Sequence, residues 1–337
     1  MTIGHFIWTD LSTFDMALAR KTYADLFGWS FDGDDSYDFA QDKTQAAAAV
    51  FPMPEFLVKI NMPSFWMSYV HVEDLDARVE AARRHEGAII EIEPQPFDEH
   101  SRIALVRDPS GAGFTMVEGS SLTPPEGPPQ PGHAVRRYHH LPDIALIADF
   151  YKDLFGWTFH KTAEAPWPVY DIRHPDGSLV AVAEEVPEEI RGKFRYWMPC
   201  FAVGSLEQAA EKLSALGGEV TVDLQDGRLM AADPQGAAFM IRALEPEDSS
   251  GNRAAPGARL PWKAGLGLLC IWLAVVLDVP LFWGVLFLLW SWPALRTGRA
   301  DFIEPVRRST HPLLFWGLTG TWIGLSLWAI AGALGAL

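Results

Sequence analysis

The sequence predicts an α+β protein of two tandem modules followed by a helical apolar tail, and three observations predict it. The first is an internal repeat: "ADLFGW" at 24–29 returns as "KDLFGW" at 152–157. The second is that the neighbours of this hexapeptide recur in the same order, so a whole module is duplicated. The third is residues 313–337, 25 positions without a charged side chain, long enough as a helix to span a hydrocarbon core of about 30 Å.

The repeat is collinear. "DMALARKTYADLFGW" (15–29) matches "DIALIADFYKDLFGW" (143–157), "WMSYVHVEDLDARVEAARRHEGA" (66–88) matches "WMPCFAVGSLEQAAEKLSALGGE" (197–219), and "RIALVRDPSGAGFTM" (102–116) matches "RLMAADPQGAAFMI" (228–241). Each copy reads as strand, helix, strands, and then a second strand–helix–strands half. "HFIWTDLS" is rich in β-formers and ends in residues that cap a helix. The helix after it repeats apolar positions at helical spacing, with Leu18, Tyr23, Leu26 and Phe27 on one side. Gly28 and Gly156 stand where the chain leaves that helix, the place for a left-handed residue. Trp29 and Trp157 then open a strand. Ser205 and Gln208 form a capping-box pair, and that helix stops at Gly217–Gly218. "DPSG" and "DPQG" are turns between strands.

Two proline-rich seams divide the chain: a first module over 1–120, a linker over 121–132, a second module over 133–244, a second linker over 245–262, and the tail over 263–337. The formal charge is −16, which argues against a nucleic-acid partner. Residues 263–337 hold five Lys/Arg against three Asp/Glu, so residues 1–262 carry about −18. The two cysteines, Cys200 and Cys270, lie in segments of different character, which argues against a disulfide or a Cys-rich zinc site. No basic stretch followed by an apolar run opens the chain, so no cleaved signal peptide is expected.

The pattern "D…A…FY…LFGW", then "W…V.D", then "R.A…DP.GA.F" resembles the vicinal oxygen chelate superfamily, which includes glyoxalase I and bleomycin-resistance proteins. Within it, the resemblance is to the two-module actinobacterial glyoxalase-like branch, over roughly 1–244. It implies tandem paired βαβββ modules that curl into half-barrels with ligand clefts. The hexapeptide then ends the first helix of each module, and core packing accounts for its recurrence.

Metal-dependent members of that superfamily use a His on the first strand, a His, Gln or Glu before the second helix, and a Glu on the last strand. Carried over, these positions fall at Trp8, Met67 and Thr115 in the first copy and at Arg136, Met198 and Met240 in the second. None of the six is a nitrogen or carboxylate ligand, so no metal and no cofactor are expected. His5, His71, His100, His139 and His140 lie nearby but scattered, whereas a metal site needs three or four converging ligands.

On the period-two rule, Trp8, Asp10 and Ser12 share one strand face, as do Arg136, Tyr138 and His140. If the carried-over positions face inward, the clefts are lined by Trp8, Asp10, Met67, Tyr69 and Thr115 in one copy and by Arg136, Tyr138, His140, Met198, Cys200 and Met240 in the other. Aromatic and methionine side chains with a few polar groups suit a small-molecule pocket. They serve equally as plain filling. Arg136 could grip an anionic ligand group.

The tail is expected to contain helices at about 264–277, 279–295 and 312–336. Arg253, Arg259 and Lys263 precede the first stretch, and Arg296, Arg299, Arg307 and Arg308 follow the second. Both flanks therefore read as cytoplasmic, which favours a hairpin turning at Asp278 over a single kinked span. The expectation is a small-molecule-binding protein on the inner membrane, with residues 1–262 facing the cytoplasm and the lipid bilayer as a partner. Two other readings stay open: a metal-dependent lyase, isomerase or dioxygenase with unconventional ligands, and a non-catalytic scaffold or sensor for the membrane part.

Overall fold

A computed structural model describes residues 3–192, 195–244, 282–284, 286–287, 299–301, 305–307, 312–333 and 335. They fall into two compact units, Met1–Pro246 and Glu247–Leu337.

In the first unit, module one runs β1 (Phe6–Thr13), α1 (Met16–Phe27), β2 (Ser30–Phe31), β3 (Asp38–Gln41), β4 (Ala46–Pro52) and α2 (Glu55–Lys59). Its second half is β5 (Phe65–His71), α3 (Leu75–Arg83), β6 (Ile89–Pro96), β7 (Ser101–Arg107) and β8 (Gly113–Gly119). Module two repeats the plan with β9 (Ala134–Leu141), α4 (Ala148–Phe155), β10 (Thr158–Ala163), β11 (Val169–Arg173), β12 (Leu179–Glu185) and α5 (Glu188–Arg191). It continues with β13 (Trp197–Val203), α6 (Leu206–Ala215), β14 (Glu219–Asp223), β15 (Arg228–Ala232) and β16 (Ala238–Ala243). The two eight-stranded sheets have equivalent orders, β2-β3-β4-β1-β5-β8-β7-β6 and β10-β11-β12-β9-β13-β16-β15-β14. Duplication in sequence is thus duplication in topology.

The caps behave as the residue types require. The Asp15 carboxylate accepts from the Leu18 amide at 2.9 Å and starts α1. Gly28 and Gly156 end α1 and α4 with φ of 78° and 70°, a region costly for any residue with a Cβ. Ser205 Oγ accepts from the Gln208 amide at 3.4 Å, the forward half of the expected box. One expectation shifts. The helix drawn through 143–155 starts as a separate 3₁₀ turn at Ile144–Leu146, because Asp143 caps the Ala145 amide only two residues on.

The helix ending in the repeated hexapeptide packs across the modules. Tyr23, Leu26 and Phe27 of α1 share a core with Trp66 and with Phe201, Leu213 and Phe239 of module two. Phe150, Tyr151, Leu154 and Phe155 of α4 share the reciprocal core with Val79, Val106 and Phe114 of module one. Each core contains a buried polar chain. Trp66 Nε1 donates to the Tyr23 hydroxyl (3.1 Å), which donates to the Asp233 carboxylate (3.0 Å). Trp197 Nε1 donates to the Tyr151 hydroxyl (2.7 Å), which donates to Asp108 (2.9 Å). The aspartates are those of the "DP.G" turns, so each module's turn accepts from the other module's helix. The hexapeptide recurs because it closes both halves of this junction.

The second unit holds a short ribbon, β17 (Arg299–Asp301) with β18 (Pro305–Arg307), and α7 (Pro312–Ala333). Across the ribbon Arg299 pairs with Arg307 and Asp301 with Pro305. A helix does form within 312–336. Among the described residues, however, no helix is long and apolar enough to cross a membrane. The hairpin apex at Asp278, the helix expected at 264–277 and most of that at 279–295 lie outside the described residues.

Candidate functional site

Strand alternation and register assemble the cup of module one. Trp8 stands opposite Tyr69 and Asp10 opposite Met67 across β1–β5, and Tyr69 lies beside Thr115 across β5–β8. All five side chains expected in this cleft therefore meet on one sheet face. Trp8 and Tyr69 are buried in one cluster with Met67 packed against it.

At its floor Asp10 is fully buried. Its Oδ2 accepts from the Tyr69 hydroxyl at 2.6 Å and the Tyr37 hydroxyl at 3.0 Å, and Trp8 Nε1 donates to Tyr37 at 3.1 Å. Asp10 Oδ1 is buried without a hydrogen-bond partner among the described residues. Burial pushes the Asp10 carboxyl up to about 7, against the pull of the two tyrosine hydrogen bonds. Burial and the neighbouring Asp10 push the Tyr69 phenol well above its ordinary value. A carboxyl shared by two phenols in this range can hold or release a proton near neutrality. Tyr37 was not in the sequence-based set. It sits in the loop before β3, where no strand period assigns a face.

A cavity of about 330 Å³ has Met67, but not Asp10, Tyr37 or Tyr69, in its wall. Its apolar lining includes Met62, Phe65, Ile92, Leu105 and, from module two, Tyr196. Arg107, paired with Glu91, and Arg195 also line it.

Module two builds a different cup from the same scaffold. Tyr138, Met198, Cys200 and Met240 come together as expected, joined by Met230 and Val182. His140 reaches Glu184 at 2.9 Å, and Arg228 donates to the other oxygen of Glu184 at 2.7 Å. The Arg228 guanidinium lies 4.3 Å over the Tyr138 ring. Burial alone would raise Glu184, but His140 and Arg228 outweigh it and hold the carboxylate below its usual range. Burial pushes the Cys200 thiol up to about 12, which leaves it a poor nucleophile. Arg136 stands opposite Cys200. Glu184 and Arg228 escaped the sequence reading, although the alternation of Val180, Val182 and Glu184 along β12 carried a signal. His139 is on the opposite strand face from His140, buried in the junction against Asp108 at 2.8 Å.

Register also corrects one carried-over position. The rows that cross the three central strands are Trp8–Tyr69–Thr115 and Arg136–Cys200–Met240. The middle residues are therefore Tyr69 and Cys200, two places along from Met67 and Met198. Indole, phenol and hydroxyl in one row, and guanidinium, protonated thiol and thioether in the other, do not fit a divalent cation.

Residues 2–116 match the glyoxalase/bleomycin resistance protein/dioxygenase superfamily, and residues 138–242 match the glyoxalase-like domain family. "Putative glyoxylase CFP32" of Mycobacterium tuberculosis is 29% identical over 257 residues, covering 71% of this chain and 95% of that protein. The anthracycline biosynthesis protein DnrV of Streptomyces peucetius is 26% identical over 265 residues, covering 70% and 92%. An extradiol ring-cleaving dioxygenase from B. fuscum superposes with a TM-score of 0.51 at 14% identity, covering 72% of each chain. That last likeness is one of fold.

Proposed function

With residues 2–116 matching the glyoxalase/bleomycin resistance protein/dioxygenase superfamily and residues 138–242 the glyoxalase-like domain family, we propose that the chain binds a small planar organic molecule in the first module, without a metal in the central row. The observation that carries this reading is Asp10. Its carboxyl is buried, has one oxygen without a partner among the described residues, and pairs across β1–β5 with Met67, which lines a cavity of about 330 Å³ that also carries Glu91, Arg107 and Arg195. A fold stabilised only by packing gains nothing from such a group, whereas a ligand hydroxyl or carbonyl would use it. The cavity size suits a small ligand, and the anthracycline biosynthesis relatives suggest a hydroxylated fused-ring aromatic. Alizarin, a dihydroxyanthraquinone, is a suitable probe. Titrated into the full chain it should quench tryptophan fluorescence saturably. Met67→Trp, which fills the cavity, should weaken binding by on the order of tenfold or more, about 1.4 kcal/mol. Equal binding by a folded Met67→Trp chain would sink this reading.

A scaffold role suits module two better, since Tyr138, Met198, Met230 and Met240 fill its cup as a cluster. The reading of a metal-dependent enzyme lacks a ligand set in either central row. The tail is proposed as a bilayer anchor: residues 313–337 carry no charge, and Trp316, Leu325, Leu327 and Trp328 are exposed on α7. The full chain should float with phosphatidylcholine liposomes and a chain ending at residue 246 should not. Identical behaviour of the two would remove the anchor from the proposal.

A further inference from the structure

Outside both cups, the modules bring three ligand-type side chains to one point. His5 precedes β1 in module one, while His174 and Asp176 belong to the turn between β11 and β12 in module two. One ligand atom from each lies within 4.8 Å of the others. The His5 and His174 rings are 4.8 Å apart between centroids, and a His174 nitrogen lies 3.2 Å from the Asp176 carboxylate. Ser178 Oγ bridges His5 (3.2 Å) and Asp176.

The backbone fixes both sides before any ion arrives. His5 O accepts from the His71 amide at 3.0 Å, and Gly4 O accepts from Trp157 Nε1 at 2.8 Å. The turn is closed by His174 N to Ser178 O (2.9 Å) and Gly177 N to His174 O (2.8 Å). At residue 4, with φ of 73°, a Cβ would stand 3.3 Å from His174 Cδ2, so glycine lets the ring lie close.

We propose that His5, His174 and Asp176 form an intermodule site for a divalent transition cation of the zinc class, with solvent completing its coordination. Two imidazoles and one carboxylate suit that class. Metal–ligand bonds of about 2.0–2.2 Å need the three atoms to draw together by about 1 Å, which rotation of partly exposed side chains supplies. The ion would tie the entry of β1 to the β11–β12 turn.

The test is titration of the full chain, stripped with chelator, with ZnCl₂ by calorimetry and with CoCl₂ by visible absorption. One equivalent should bind, with a ligand-field spectrum and a rise of several degrees in the thermal midpoint. His174→Ala and Asp176→Asn should each weaken binding by at least about tenfold, as loss of a direct ligand requires. His100→Ala, in an exposed loop of module one, should bind as the parent does. Absence of saturable binding, retention of it in both ligand variants, or its equal loss in the His100 variant would overturn the site. None of these outcomes bears on alizarin binding in the first cup.

Discussion

At pH 8, Asp10→Asn makes the protein more stable, by about 1–3 kcal/mol, while weakening ligand binding. In the folded chain Asp10 titrates near 7 against an ordinary value of 3.8. Below about pH 4 both folded and unfolded chains hold the proton, and the carboxyl carries no linkage penalty. As pH rises from there to 7, the unfolded chain ionises first, so folding is progressively disfavoured. Above 7 the penalty is complete, at most about 4 kcal/mol. Asn keeps an acceptor for Tyr37 and Tyr69 and has no charge to bury. It does place an amide where Oδ1 has no partner, which costs about 1–3 kcal/mol. The gain should therefore grow between pH 4 and 7 and level off above. Urea unfolding of both chains across that range measures it, and a pH-independent difference would show that the carboxyl is not held protonated. A stabilising substitution that damages binding marks a group kept for function.

Asp108→Ala should cost about 3–5 kcal/mol at neutral pH, the loss expected when one partner of a buried ionic network is removed. The Asp108 carboxylate accepts from the Ser110 and Ala112 amides (2.8 and 3.0 Å), from Tyr151 (2.9 Å) and from His139 (2.8 Å). All these groups would lose their acceptor at a junction closed to water. Its counterpart Asp233 accepts from the Gln235 and Ala237 amides and from Tyr23. The two aspartates shift in opposite directions. Burial acts to raise both; at Asp108 the His139 ring and the hydrogen bonds reverse it, and at Asp233 burial wins. The repeat places Leu11 where module two has His139, which accounts for the difference. Asp108 thus contributes stability above its ordinary value of 3.8 that is lost as pH falls through its lower folded value. The cost of Asp108→Ala should shrink in acid, and His139→Leu should flatten or reverse the part of the acid limb of unfolding that Asp108 contributes. Thermal unfolding against pH reads both; an acid limb unmoved by His139→Leu would detach the histidine from this role.

Much of the cup was legible because strand alternation is local. Once β1 and β9 were placed, Trp8 with Asp10 and Tyr138 with His140 followed from a period of two. Met67, Tyr69, Met198 and Cys200 followed in the same way on β5 and β13. Tyr37 and Arg228 were not legible as site residues, since Tyr37 lies in a loop and Arg228 stands on β15, four strands along the sheet from the β12 strand that carries Glu184. The shift of the middle row from Met67 to Tyr69 is a register between strands more than fifty residues apart in sequence, which spacing cannot supply.

The sequence by itself determined that a module is written twice, that its repeated helix is released at Gly28 and Gly156, and which residues share a strand face. Those are consequences of side-chain period, capping chemistry and glycine's conformational range, all acting within a few residues. Only the tertiary structure decided that Asp10 is shared by two phenols, that Glu184 lies between His140 and Arg228, and that the repeated helices close each other's "DP.G" turns. A buried polar group takes its protonation and its partners from whatever the fold brings within 3 Å of it, and no stretch of chain specifies that alone.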